Sequence, residues 1–472
     1  MPSSDLAAVS ASELAELYQR GAASPVEATQ AALERIDAFN GTYNAYCLVD
    51  EEAALSQARA AEQRWQQGTP LSPLDGVTAS IKDLVLTRGW PTLRGSLAVD
   101  PDQPWDEDAP ATARLREAGV VLLGKTTTPE FGWKGVTDSR LTGVTGNPWN
   151  SGRTSGGSSG GAAVAAALGM GCLHIGSDGG GSIRIPAGFS GIFGHKPTFG
   201  LVPAYPPSPF GTVAHLGPMT RTVTDAALML NSIGQPDYRD WHALTRPFLD
   251  FTSQLDKGIE GLRIAVSTTL GYAEVDPAIA RLVEEAAEVL ASLGAKVEAR
   301  DPRIENTHEI FKAHWFTGAA NLRRRFTDQQ VAKFEPELQA VCDAGAAIPH
   351  MDYIDATDQR AALALGMAEF HQEFDILLTP TLPIPAFEAG RLAPAGTDQS
   401  NWTHWTPFSY PFNLTQQPAA SIPCGFTADG LPAGLQIVAA KFNDDLVLRV
   451  ARAYERECPI KLPTPRGEAA TA

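Results

Sequence analysis

Cysteine is scarce in this 472-residue chain: Cys47, Cys172, Cys342, Cys424 and Cys458 are scattered, odd in number and form no C-x-x-C. A disulfide framework is therefore excluded, and a reducing, cytoplasmic setting is expected. Positive charge is also short, with 37 Lys and Arg against 54 Asp and Glu and a formal charge of -17. That balance argues against nucleic acid or an anionic membrane as a partner. No uninterrupted apolar run approaches the roughly 18 residues that span a bilayer. The opening "MPSSDLAAVSASELAELYQRG" lacks the basic and apolar regions of a signal peptide. Internal repeats, low-complexity linkers and the phosphate-loop pattern G-x-x-x-x-G-K-[ST] are missing as well. "HEIFK" (308–312) lacks the second histidine of H-E-x-x-H, so neither a metal nor another cofactor is expected.

What is present is an ordinary globular composition, 43% hydrophobic and 19% charged. The first 70 residues read as helices, and Ser10 to Glu13 and Ser24 to Glu27 both fit the S-x-x-E capping box. After that, short apolar runs alternate with helical stretches. Strands are predicted at 77–81, 120–126, 172–177, 262–267, 376–381, 420–426 and 434–440. Helices are predicted at 109–118, 159–169, 222–234, 276–293, 308–345, 356–373 and 443–457. Buried strands separated by helices imply an α/β fold, a single domain over residues 1–472 with a mixed sheet covered by helices.

The stretch "TSGGSSGG" (154–161) admits three readings: a flexible loop, a phosphate cradle, or a loop holding a serine nucleophile. A linker does not usually lead straight into a core helix such as "AAVAAALGM". The turn chemistry of "GNPWNSGR" before it does not supply the strand that a nucleotide loop or a G-x-S-x-G elbow needs. A second stretch, "GSDGGGSIRIPAG" (176–188), changes the balance. A helix over 159–169 travels roughly 17 Å at about 1.5 Å per residue. A strand over 172–177 returns roughly 20 Å at about 3.3 Å per residue. Helix out and strand back bring Ser182 near Ser158. In "DGVTASIKD", Lys82 ends an apolar strand. It reads either as a snorkelling strand-end residue or, in a dry site, as a neutral base, with Asp83 turned to the opposite face.

Together, "LDGVTASIKD", "TSGGSSGG" and "GSDGGGSIRIPAGFSGIFGHKPT" resemble the amidase signature family of serine hydrolases. "GPMTRTVTDAALML", "ILLTPTLPIPAF" and "FNLTQQPAASIPCGFTADGLPAGLQIVAAKFNDD" extend the resemblance over most of the chain, and only residues about 236–370 look individual. The resemblance implies four stretches within one domain: N-terminal helices (1–70), a catalytic core (71–235), a variable specificity region (236–374), and the end of the sheet with the last helix (375–460). It implies a Ser-Ser-Lys triad with Ser182 as nucleophile, Ser158 as bridging serine and Lys82 as base, and a cis peptide at Gly157–Ser158. The N–H groups of Gly179, Gly180, Gly181 and Ser182 would hold the oxyanion. Asp178 and Arg184 would brace the loop, Ser159 would hydrogen-bond in the site or merely cap the helix, and Phe131 and Gly132 would contact the acyl group. Gly179 stands where many relatives carry Thr or Ile, which implies a looser oxyanion loop. His195 replaces a common Leu, and Gln416 a common Gly. The implied activity is hydrolysis of a small-molecule amide by a free-standing monomer or homodimer. Ester or carbamate cleavage, the glutaminase subunit of a tRNA-dependent amidotransferase, and a non-catalytic binding protein are the alternatives.

Overall fold

The β-branched runs pair into one large sheet. Residues 5–245 and 249–463 of this computed structural model are described, and they contain thirteen strands. In chain order the strands are β1 (Tyr46–Val49), β2 (Thr78–Lys82), β3 (Val121–Thr126), β4 (Asp138–Ser139), β5 (Gly143–Val144), β6 (Leu173–Asp178) and β7 (Phe193–Lys196). They continue as β8 (His215–Thr220), β9 (Arg263–Val266), β10 (Lys296–Ala299), β11 (Ile376–Pro380), β12 (Ala419–Phe426) and β13 (Pro432–Ala439). Eleven form the sheet, in the order β1-β3-β2-β6-β8-β7-β12-β13-β11-β9-β10, while β4 and β5 make a separate hairpin. The sheet is mixed: β3, β2 and β6 run parallel, as do β11, β9 and β10, and antiparallel strands join the two blocks.

The helices are α1 (Ala11–Gln19), α2 (Pro25–Tyr43), α3 (Glu51–Gln66), α4 (Pro110–Glu117), α5 (Gly160–Ala167), α6 (Arg184–Ser190) and α7 (Val223–Ile233). Then come α8 (Pro277–Ser292), α9 (Thr307–Arg323), α10 (Asp328–Val331), α11 (Pro336–Ala346), α12 (His350–Glu373), α13 (Pro411–Leu414) and α14 (Asp444–Glu457). Both anticipated capping boxes form, with Ser10 and Ser24 accepting from the N–H of Glu13 and Glu27. No described helix is long and apolar enough to cross a membrane.

Side-chain alternation explains why both faces are covered. Ile376 and Leu378 enter one core with α7, α8 and α14, whereas Leu377 enters the other with the aromatics of α9. On β2, Ala79 and Ile81 belong to the first core, which leaves Ser80 and Lys82 for the opposite face.

The seven predicted strands and most of the helices are present, with ends shifted by a few residues. The expected helix over 308–345 is three helices, α9, α10 and α11, broken where Thr327 caps α10 and Pro336 starts α11. The helical reading of the first 70 residues missed β1, which pairs with the edge of β3. β7 (FGHK) and β8 (HLGPMT) were also missed, because their glycine, proline and polar residues hide the pattern of strands buried in the centre of a sheet.

Helix α5 packs against β2, β3 and β6, and its first two residues are glycines. A Cβ on Gly161 would stand 2.4 Å from both the Ala45 carbonyl oxygen and Thr127 Oγ1. Gly161→Ala should therefore destabilise the protein by about 1–3 kcal/mol in urea unfolding, against helix propensity. A gain of stability, as an exposed helical glycine would give, would contradict this packing.

Candidate active site

Parallel strands β2 and β6 end side by side, and their carboxyl ends carry Lys82 and Asp178. The loop before α5 and the loop before α6 converge on this edge, a common place for a site in an α/β sheet. The anticipated helix-out, strand-back path is followed: the Ser159 N–H donates to the Ser182 carbonyl at 3.1 Å. The Gly157–Ser158 peptide is cis.

Lys82 is fully buried, and its Nζ lies 2.7 Å from Ser158 Oγ, 2.8 Å from Ser159 Oγ and 2.9 Å from Ser177 Oγ. All three neighbours are hydroxyls, and no carboxylate touches the amine among the described residues. Burial pushes its pKa well below the ordinary lysine value, and the charge of Asp178 only partly opposes that shift. A neutral amine has two protons and one lone pair. Ser159 gives its own proton to the Ser177 carbonyl at 3.1 Å and accepts from the Ser177 N–H, so toward Lys82 it can only accept. With Ser177 taking the second amine proton, the lone pair is left for the Ser158 hydroxyl. Ser159 occupies the N-cap of α5 yet makes no capping bond, so its side chain belongs to this cluster rather than to the helix.

Ser158 and Ser182 line one cleft together with Phe131, Gly132, Ser177 and Gly179. The Ser182 hydroxyl has no hydrogen bond to any described residue. Gly132 has φ +71°, and a Cβ there would meet Leu84 at 2.7 Å and Ser158 Oγ at 3.1 Å, so glycine keeps this wall open beside the hydroxyl. Phe131 packs against Phe326 and Phe334, with ring centroids 5.2 Å apart in each case.

Behind the loop, Asp178 and Arg184 form a fully buried pair. All five Arg184 donors are occupied, by both Asp178 oxygens, Asn413 Oδ1, the Ser409 carbonyl and Gln436 Oε1, at 2.6–3.0 Å. Burial disfavours the Asp178 charge, but Arg184, Lys196 and Asn413 outweigh it and hold the carboxyl well below the usual range. Asp178 in turn accepts from the N–H groups of Gly181 (2.7 Å) and Ile183 (3.2 Å). Unlike the expectation for Gly181, its N–H donates to Asp178, whereas the N–H groups of Gly179, Gly180 and Ser182 donate to no described residue.

Gly179, where a looser loop was expected, stands in close packing. A Cβ on Gly179 would lie 2.7 Å from the Trp315 ring, and one on Gly180 would lie 2.6 Å from Phe311 and 2.8 Å from Trp402. Aromatic rings occupy the space that a larger loop residue would take. His195 sits away from the serines, bonded to Asp444 at 3.1 Å, and Gln416 holds φ +62°, which accounts for glycine being common there. Asp83 lies 3.9 Å from Lys125 Nζ and does not touch the serine cluster. His215 lines the cleft, but its Nδ1 faces the carbonyls of Val213 and Asp178, and its ring bonds to neither serine. No group of three or more His, Cys, Asp or Glu side chains is placed to hold a metal ion among the described residues.

Sequence reasoning missed Ser177, whose only signal was its place next to Asp178. It also missed Phe311 and Trp315, which lie in the stretch with no motif, and Arg94, the lone charge in "GWPTLRGS".

Comparison with known proteins agrees with this geometry. The profile of the family described as Amidase matches residues 27–448. An acylamidase of Rhodococcus erythropolis is 35% identical over 458 residues, 96% of each chain. A glutamyl-tRNA(Gln) amidotransferase subunit of Myxococcus xanthus is 35% identical over 478 residues, 94% of this chain and 96% of its own. The crystal structure of a bacterial aryl acylamidase superimposes with a TM-score of 0.89 at 31% identity, covering 96% of each chain. The chain belongs to the amidase signature family, hydrolases that cleave amide bonds with a Ser-Ser-Lys triad through an acyl-enzyme.

The depressed Lys82 pKa has a consequence for stability. Folded, the amine is neutral above that pKa, whereas unfolded it binds a proton up to about pH 10.4. Between the two values the unfolded state holds the extra proton, so stability rises with pH, by at most about 1.4 kcal/mol per pH unit from this group. Urea midpoints at pH 7 and pH 9.5 should show wild type gaining relative to Lys82→Met. A difference constant with pH would contradict a neutral buried amine.

Proposed function

We propose that Ser182 is the nucleophile, Ser158 the proton relay and Lys82 the neutral base of this amide hydrolase. The observation that carries the reading is the Lys82–Ser158 contact: a desolvated amine bonded only to hydroxyls, in a cleft shared with Ser182. Lys82 takes the Ser158 proton, Ser158 takes that of Ser182, and the Ser182 oxygen attacks the amide carbon. The N–H groups of Gly179, Gly180 and Ser182 receive the oxyanion; losing one such donor typically costs roughly 3–4 kcal/mol of transition-state stabilisation. Ser158 then gives its proton to the departing amine and recovers one from Lys82. Water attacks the acyl-enzyme by the same relay, releasing the carboxylate. Asp178 and Arg184 fix the loop without touching the reacting atoms.

The substrate class is an acyl amide with an apolar body, cleaved by a free-standing enzyme, monomer or homodimer. The likeness to the acylamidase supports this, as do Leu84, Phe131, Phe210, Trp315 and Leu322 along the cleft. The amidotransferase relative is as similar in sequence. However, among the described residues that line the cleft there is no carboxylate to meet the α-ammonium of glutamine. Five free cysteines fit a cytoplasmic setting.

A fluorophosphonate should label the peptide bearing Ser182, and Ser182→Ala should lower turnover by at least about 10³-fold with the fold retained. Ser158→Ala should label the same serine more slowly. It should also damage amide cleavage more than cleavage of activated esters, whose leaving groups need little protonation. Label on Ser158 or Ser159, or equal losses on both substrate types, would overturn the assignment.

A further inference from the structure

The cleft holds one charge that the relay does not use. Arg94 lines the same cleft as Ser158 and Ser182, and its guanidinium has no hydrogen bond or ion pair to any described residue. Burial disfavours its charge, Asp83 favours it, and the exposed Arg325 disfavours it again. Asp83 is already engaged, accepting from the N–H groups of Leu93 (3.2 Å) and Gly95 (3.3 Å) and lying 3.9 Å from Lys125 Nζ. The wall around Arg94 is otherwise mostly apolar. A partly desolvated guanidinium whose donors meet no acceptor among the described residues can offer them to a ligand of opposite charge.

The backbone that carries this side chain is firmly held. Arg94 has φ +59°, in the left-handed region that costs a residue with a Cβ about 1–2 kcal/mol. The conformation is fixed from both sides by the two amide bonds to Asp83, and the Arg94 carbonyl accepts from the Phe131 N–H at 2.8 Å. Phe131 leads directly to Gly132, beside the Ser158 hydroxyl. The segment that carries the free cation is thus tied to the segment that touches the proton relay.

We infer that Arg94 is a specificity-determining residue that receives a carboxylate of the substrate, so that the preferred amides join an anionic group to an apolar skeleton. A guanidinium fork matches a carboxylate in two parallel hydrogen bonds, and lysine does not reproduce that geometry. The inference rests on the reading above, in which Ser182 is acylated within this cleft.

The test measures protection of Ser182 in the full-length protein from a fluorophosphonate. The protecting ligands are ω-phenyl carboxylates from phenylacetate to 6-phenylhexanoate, each paired with the alcohol of the same length. At least one carboxylate should protect at a concentration tenfold or more below that of its alcohol. Arg94→Met should bring that ratio to about one, and Arg94→Lys should keep part of it. The wild-type comparison and Arg94→Lys decide the matter if Arg94→Met does not fold. Labelled Ser182 with no carboxylate preference at any length, or a preference unchanged in the Arg94 variants, would overturn the role of Arg94 alone. Wild-type protein that takes no label at Ser182 would instead overturn the catalytic reading, and this inference with it.

Discussion

The structure depends on one buried amine being kept free of carboxylates. A lysine inside a protein usually keeps its charge by pairing with an acid, and a paired lysine is no base. Lys82 instead meets three serine hydroxyls, and the nearby acids are engaged elsewhere: Asp178 by Arg184, and Asp83 by Lys125 and backbone amides. Both acids flank the site in sequence or space, so their engagement is a condition for the neutral amine. Lys125 illustrates the intermediate case. It is also buried, with its pKa pushed down to about 8, but carbonyl and hydroxyl oxygens and the nearby Asp83 hold it as a brace for the loop after β2.

The second constraint is the rigidity of the loop before α6. Asp178 and Arg184 satisfy each other completely, and removing one partner of such a pair generally costs about 3–5 kcal/mol because the other is left buried and charged. The same aspartate takes the Gly181 N–H, which holds that amide toward the buried pair. Glycines let the loop approach this closely, and the rings of Phe311, Trp315 and Trp402 close over them. Segments remote in sequence therefore meet on four residues.

Much of this was legible from the chain. Helix rise and strand rise fix how far a chain travels before it returns, which was enough to bring the two glycine-serine loops together, while Lys82 stayed open between a snorkelling residue and a base. The resemblance supplied the roles. What stayed hidden has physical reasons. β7 and β8 carry glycine, proline and histidine in a sheet centre, where burial on both faces removes the alternation that marks a strand. Trp315 and Phe311 follow a helical pattern, which places them in a core without saying whose loop they cover. The direction of the Gly181 N–H depends on a side chain three residues away, and no spacing rule carries that information. Gln416, by contrast, reads in the sequence only as a departure, and its left-handed backbone gives the departure a cause.

The central claim, that an uncharged Lys82 drives proton transfer, is tested most directly by the pH dependence of kcat/KM on an amide substrate. The rate should rise with pH through one ionisation lying well below the ordinary lysine value and stay high into alkaline solution. In Lys82→Ala that ionisation should vanish, along with several orders of magnitude in rate. A profile governed by a histidine-like step and retained in Lys82→Ala would contradict the account.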